Sequence, residues 1–367
     1  MSISVSPAIE ADESDWDQFV YAHEDATFFH RFGWSRVLRS AFGHRTHFLV
    51  ARNADGVCGV LPLAEVRSLL FGRRLSSLPF AVYGGVLASS PEVADALRQE
   101  ACALADRLKV GSLELRNRDC ADADWPVKEL YFTFRKTLES DHQANLKAIP
   151  NRQRAMLRKA LKEGLYSEET GDTKRLYRVY SESVRNLGTP VFSRKYLDVL
   201  MSEFGDDCRI MMIRQRRNGQ PIGAADDQTL LADAESANVG DEDVAGVMSF
   251  YFRGEVLPYY GGSVTRARSI KGCNHILYWE LMRRSTAEGC TGFDFGRSKA
   301  GTGPYSFKKN FGFVPALMPY EYYLVRDEEL PDMNPNNPKY QRLVGIWQKL
   351  PLPAANTLGP FIARSLG

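Results

Sequence analysis

The sequence predicts an α/β (α+β) chain made of two tandem copies of one unit, each with a mixed, largely antiparallel sheet. The first observation is a repeated hairpin pattern. His47 to Arg52, a turn at Asp55-Gly56 and Val57 to Leu61 form one, and Arg209 to Arg214, a turn at Asn218-Gly219 and Val244 to Met248 form the other. The second is that each hairpin leads to a proline and then Tyr-Gly-Gly, at Pro79 with Tyr83-Gly84-Gly85 and at Pro258 with Tyr260-Gly261-Gly262. The third is that each copy then enters an amphipathic helix, 93–109 or 272–288, which delivers a short apolar strand, Leu113 to Leu115 or Phe293 to Phe295.

The copies are offset by 187 residues at Val57/Val244, 177 at Tyr83/Tyr260 and 180 at Leu113/Phe293. A drifting offset with a constant order of elements marks a duplicated domain rather than a solenoid. The 367 residues therefore divide into domains at 1–142 and 143–326 and a C-terminal helical tail at 327–367. Inside the second hairpin lies an acidic insertion, 221–245, with Asp226, Asp227, Asp233, Glu235, Asp241, Glu242 and Asp243 and no Lys or Arg. It reads as a solvated surface loop.

Lys plus Arg number 47 against 45 Asp plus Glu, a net charge of +2 that argues against a nucleic-acid coat or a disordered polyelectrolyte. The six cysteines form no CxxC pair and no zinc spacing, so packing thiols are expected and no metal site is. The acidic N-terminus has no apolar signal region, and no run of 18 apolar residues occurs. A cytoplasmic protein is expected, reaching any membrane-borne substrate from the inner face of the membrane.

Between the copies, Pro150 suits a helix start, with Met156, Leu157, Ala160 and Leu161 on one stripe. Arg152, Arg154, Arg158, Lys159 and Lys162 crowd the other faces. They are either a solvated surface or contacts to phosphates, for which guanidinium forks are well matched. Arg154 and Arg158 are the substrate-binding candidates here. RNA binding is a weaker reading, because the aromatic interleaving it needs is missing.

The richest segment is 289–313. A strand ends in a glycine-rich turn with Arg297, Ser298 and Lys299, and a helix follows with Tyr305, Phe307, Lys308 and Lys309. Gly296, Gly301 and Gly303 allow positive φ or close approach of a ligand, and amides at the next helix start suit an anion. Phe311-Gly312-Phe313 reads as strand-like. Arg297, Lys299, Tyr305, Tyr260 and Asn274 are the remaining substrate-binding candidates.

The order of elements in each copy resembles the GNAT acyltransferase layout, which makes the expected architecture two tandem GNAT-like domains. The segment Phe293-Asp294-Phe295-Gly296-Arg297-Ser298-Lys299, with Gly301-Thr302-Gly303 and Phe307-Lys308-Lys309-Asn310-Phe311-Gly312-Phe313, resembles the FemABX-type peptidyltransferases and their BioF2-like acetyltransferase relatives. It is most similar to the FemAB-type proteins of exosortase/PEP-CTERM and exopolysaccharide loci. Leu257 to Ser263, Asn274, Tyr278-Trp279, Ala26 to His30 with Trp34, and Trp347 onward match too.

The resemblance implies acyl or aminoacyl transfer to an amine of a cell-envelope, peptidoglycan or exopolysaccharide glycan precursor. It places Phe307-Lys308 where the acyl group passes, with the lysine stabilising an oxyanion. Asp294 is the nearest carboxylate in sequence for the amine's proton, or else simply ends a strand. No nucleophile elbow is present, so direct attack is expected. No tightly bound cofactor is expected; the donor is an acyl-CoA, an acyl-carrier protein or an aminoacyl-tRNA.

The sequence departs from the pattern in the pyrophosphate loop. Arg266 to Asn274 carries a single glycine, leaving Arg268 and Gly272 as the donor-binding candidates. The first copy has none in Ala88 to Pro91, so the donor site is expected in the second copy. A non-catalytic scaffold of the exopolysaccharide or protein-sorting machinery is the alternative. The tail reads as helices docked on the body, or as a peripheral membrane contact suited to a lipid-linked glycan acceptor.

Overall fold

The first hairpin forms from Leu49–Asn53 and Gly56–Leu61, antiparallel, with Ser4–Pro7 beyond one edge and Leu87–Ala88 beyond the other. The computed structural model describes residues 2–68, 72–118, 125–217, 240–331 and 338–366. It divides into one unit of Met1–Phe132, Leu317–Asn334 and Phe361–Gly367, and a second of Thr133–Ala316 and Pro335–Pro360. Leu317 to Arg326, expected at the end of the second domain, group with the first unit, where Tyr320 to Leu324 pair antiparallel with Ser112–Arg116.

In the first unit, Ser90 caps the helix Pro91–Leu108 by accepting from the Val93 N–H, and Pro91 sits where its missing N–H costs nothing. Val93, Leu97, Ala101 and Ala105 recur every four residues and bury one stripe against Leu49, Ala51, Cys58, Leu61, Leu113 and Leu115. A second sheet runs through Ser112–Arg116, Gly72–Ser77, Leu63–Ser68 and Arg45–Thr46, with one parallel pairing.

The second unit repeats the plan. Leu165–Thr170, Cys208–Gln215, Glu242–Phe252 and Glu255–Ser263 are antiparallel neighbours, and Gly292–Asp294 joins in parallel. Asp172 caps the helix Thr173–Asn186, whose Leu176, Val179, Tyr180 and Val184 are buried. The helix Cys273–Ala287 buries Ile276, Leu277, Trp279 and Leu281 and packs on the helix Asn151–Lys162.

Three expectations need correcting. Glu242 to Ala245 are not loop but the start of a strand, and residues 221–239 of the acidic insertion lie outside the described residues, as does the turn at Asn218-Gly219. Asp243 is buried, not solvated: Arg175 (2.7 Å), Arg178 (2.8 Å) and Arg214 (3.4 Å) converge on its carboxylate. Phe311 to Phe313 form a turn, since Gly312 at φ +93° leaves extended geometry; the strand begins at Pro315. Cys58, Cys102, Cys208, Cys273 and Cys290 are free thiols, and Cys120 lies outside the described residues.

Candidate active site

In the second unit the parallel strands Glu255–Ser263 and Gly292–Asp294 pair only at Glu255 with Gly292 and Val256 with Phe293. Beyond those residues they part. On the other side of Glu255–Ser263 the register skips one residue: Met248 faces Tyr260 and Ser249 faces Pro258, so Tyr259 is a bulge. One arm of the opening therefore carries Tyr259 to Gly262, and the other continues into Phe295, Gly296 and Arg297.

That second arm is a turn held from two sides. Asp294 is fully buried; its Oδ1 accepts from the Gly296 N–H at 2.7 Å and from the Thr133 hydroxyl at 3.3 Å, and Oδ2 lies 3.8 Å from Arg135 Nε. Lys308, from the helix Gly303–Asn310, donates from Nζ to the carbonyls of Phe295 (2.7 Å), Gly296 (3.1 Å) and Arg297 (3.2 Å). The ammonium lies 5.4 Å from the Phe134 ring centroid and 5.7 Å from that of Phe295. Burial pushes Lys308 down to about 7, while the Asp294 charge raises it. Gly296 (φ +64°) and Gly301 (φ +75°) take the left-handed geometry expected of them.

The other expected residues are distributed around this turn and on the neighbouring helices. Phe307 stacks on Phe311 (5.6 Å) and contacts His275 and Tyr278, and Tyr305 meets Phe134 edge-on at 5.2 Å. Arg297 and Lys299 are half-buried on the turn. Asn274 is exposed in the first turn of Cys273–Ala287, and Arg268 is exposed in the preceding loop. Arg154 and Arg158 lie on Asn151–Lys162, where Arg154 donates to the Asn151 side chain. Tyr260 is buried, its hydroxyl 2.6 Å from that of Tyr196 within a nest of aromatic rings.

Gly272 is the N-cap of Cys273–Ala287 at φ +79°; a Cβ there would stand 2.3 Å from the Met156 carbonyl oxygen. The glycine thus lets two helices approach. Among the described residues no side chain caps this helix, and Arg268 and Lys271 are exposed beside its start.

The first unit contains a cavity of about 450 Å³ at the equivalent opening, lined among others by His30, Tyr83, Ser90, Arg98, Asn117 and Arg118. Asn117 Nδ2 is buried there with no hydrogen-bond partner among the described residues. His30 is structural: the Thr27 N–H donates to Nδ1 at 3.0 Å, Nε2 lies 3.2 Å from the Gly85 carbonyl, and burial pushes it down to about 4.

Residues 235–309 match the family model described as an acetyltransferase (GNAT) domain. The chain has a GNAT-like fold. The chain is similar over its length to solved structures. FemX aligns with a TM-score of 0.62 at 15% identity, covering 94% of this chain and 100% of that one. L-PGS from Bacillus licheniformis aligns at 0.53 and 15%, covering 93% and 98%. A tandem GNAT protein from the clavulanic acid biosynthesis pathway aligns at 0.51 and 11%, covering 90% and 100%. These likenesses carry the tandem GNAT fold. No curated protein sequence matches the chain.

Sequence reasoning missed Thr133 and Phe134, which flank Asp294 and Lys308 from the strand Val127–Thr137. Their signal was there in the β-branched and aromatic run Leu130 to Phe134. Asn117 and Tyr196 carried none, since only tertiary packing brings Asn117 to its cavity and Tyr196 to Tyr260. Among the described residues, no helix is long and apolar enough to cross a membrane.

Proposed function

We propose that this acyltransferase moves an acyl group from acyl-CoA to an amine on a cell-envelope or exopolysaccharide glycan precursor, at the inner face of the membrane. The observation that carries the reading is the turn Phe295 to Arg297, fixed by Asp294 and Lys308 where the two parallel strands part. The anionic donor approaches the uncapped start of Cys273–Ala287, with Arg268 and Lys271 beside it and Arg154 and Arg158 on the packed neighbour helix. The acyl-carrier protein and aminoacyl-tRNA donors draw no support from the domain match.

The acceptor amine attacks the thioester carbonyl, the carbon–sulfur bond breaks, and the amine's proton ends on the CoA sulfur. Lys308 acts on the oxyanion of the tetrahedral intermediate. Its bond to the Arg297 carbonyl is the longest of the three at 3.2 Å and only partly buried, so this is the one exchanged for substrate oxygen. Asp294 is a positioning residue that keeps the turn in place and the lysine charged. The resemblance of residues 293–313 to the FemAB-type proteins of exosortase and exopolysaccharide loci supports a glycan-precursor acceptor.

The test is a mass-spectrometric comparison of envelope and exopolysaccharide precursors with and without the gene. An N-acylated precursor that disappears with the gene supports the proposal, and identical precursor pools would overturn it.

A further inference from the structure

The C-terminal helices display an inverted pattern. Along Leu352–Ala363, the small residues Ala355, Gly359 and Ala363 recur every four positions and are buried. Gly359 sits so close to the body that a Cβ would stand 2.8 Å from the Val191 carbonyl oxygen. The large apolar residues Leu358, Phe361 and Ile362, spaced i, i+3 and i+4, share the flank beside this stripe and are exposed, Phe361 at 68%. A helix that merely docks would bury Leu and Phe and expose the small residues.

The preceding helix Pro338–Lys349 has the same character. Val344 faces inward, against Gly188, while Leu343 and Ile346 are 60% and 61% exposed. Arg342 and Lys349 lie on that exposed face, at i−4 and i+3 from Ile346. Of the ten large apolar residues exposed among the described residues, five lie on these two helices. The charge there has one sign only: from Pro338 to the end the sequence has Lys339, Arg342, Lys349 and Arg364 and no Asp or Glu.

We propose that these helices form a membrane-docking face, on which Leu343, Ile346, Leu358, Phe361 and Ile362 enter the interface of a bilayer rich in anionic lipid while Arg342 and Lys349 meet its head groups. Exposed apolar side chains interleaved with cations are complementary to such a surface in both respects. The inference deepens the reading of a lipid-linked acceptor, on which its biological purpose rests. Vesicle binding is read without turnover, however, so failure of one is distinguishable from failure of the other.

The experiment is co-sedimentation of the full chain with vesicles of phosphatidylcholine, alone or with about 30% phosphatidylglycerol. Wild type should sediment with the phosphatidylglycerol vesicles. The triple variant Leu358→Gln, Phe361→Gln, Ile362→Gln should remain in the supernatant with an unchanged thermal midpoint. The double variant Arg342→Gln, Lys349→Gln should lose about 30-fold in affinity for the anionic vesicles. Wild type left in the supernatant, or a triple variant that binds as wild type does, overturns the proposal. So does a wild-type dimer by light scattering that the triple variant breaks without any vesicle binding, which would make the face a contact between copies.

Discussion

Asp294 and Lys308 hold one turn between them: the carboxylate accepts from the Gly296 N–H at 2.7 Å, and the ammonium donates to the Phe295, Gly296 and Arg297 carbonyls. The two charges also interact through buried surroundings, where Asp294 raises the Lys308 pKa against the larger effect of burial. Asp294→Asn keeps an acceptor oxygen for Gly296 but removes that charge, so Lys308 should lose its proton at lower pH. An activity that needs the ammonium falls as pH rises through the lysine's pKa, about 7 in the wild type. The alkaline limb of the kcat profile should therefore move to lower pH in Asp294→Asn. A limb that stays in place would separate Asp294 from the site.

Gly272→Ala should destabilise the protein by at least about 2 kcal/mol, since a left-handed backbone costs about 1 kcal/mol before any clash. The added Cβ would stand 2.3 Å from the Met156 carbonyl oxygen, forcing apart the helices that flank the proposed donor site. Urea denaturation measures the cost. A variant as stable as wild type would mean the helices separate freely.

Much of this was legible in the sequence. The duplicated unit showed because hairpin, Tyr-Gly-Gly, helix and strand recur locally, and local periodicity survives without tertiary knowledge. Gly272 was readable as special but not for its reason: a phosphate loop and a helix crossing both call for glycine, and only packing separates them. Tyr260 looked like a ligand contact because Tyr-Gly-Gly lies where the sheet opens, but its hydroxyl meets Tyr196, 64 residues away in sequence. Asp243 was hidden by its acidic neighbours, since the three arginines that bury it come from other elements.

Asp243→Asn tests that cluster. Breaking a buried ion pair while its partners stay in place is costly, and Arg175 retains Glu168 as a second partner. A loss of about 2–3 kcal/mol by urea denaturation is expected. A loss below about 0.5 kcal/mol, as for an ordinary surface site, would contradict the buried role.

His30 should make stability sensitive to acid. Its pKa is pushed down from 6.5 to about 4 by burial, so the unfolded chain binds the proton first. Stability from this residue is therefore fully present above pH 6.5 and is lost as pH falls toward 4, about 3 kcal/mol in all. His30→Gln should have a lower thermal midpoint at pH 7 and a flatter dependence between pH 4 and 6.5 than wild type. Parallel curves for the two proteins would rule His30 out as the origin.

The central claim is acyl transfer from acyl-CoA under the influence of Lys308. The direct measurement is single-turnover transfer of radiolabelled acetyl groups from acetyl-CoA to amino-sugar envelope precursors, comparing wild type with Lys308→Met. The variant leaves three carbonyls without their donor and should lose about 2–5 kcal/mol of stability, so both proteins are assayed where they remain folded. Wild type should label an amine, and the folded variant should not, while acetyl-CoA still binds within about threefold of wild type. Wild-type turnover in Lys308→Met would contradict the account.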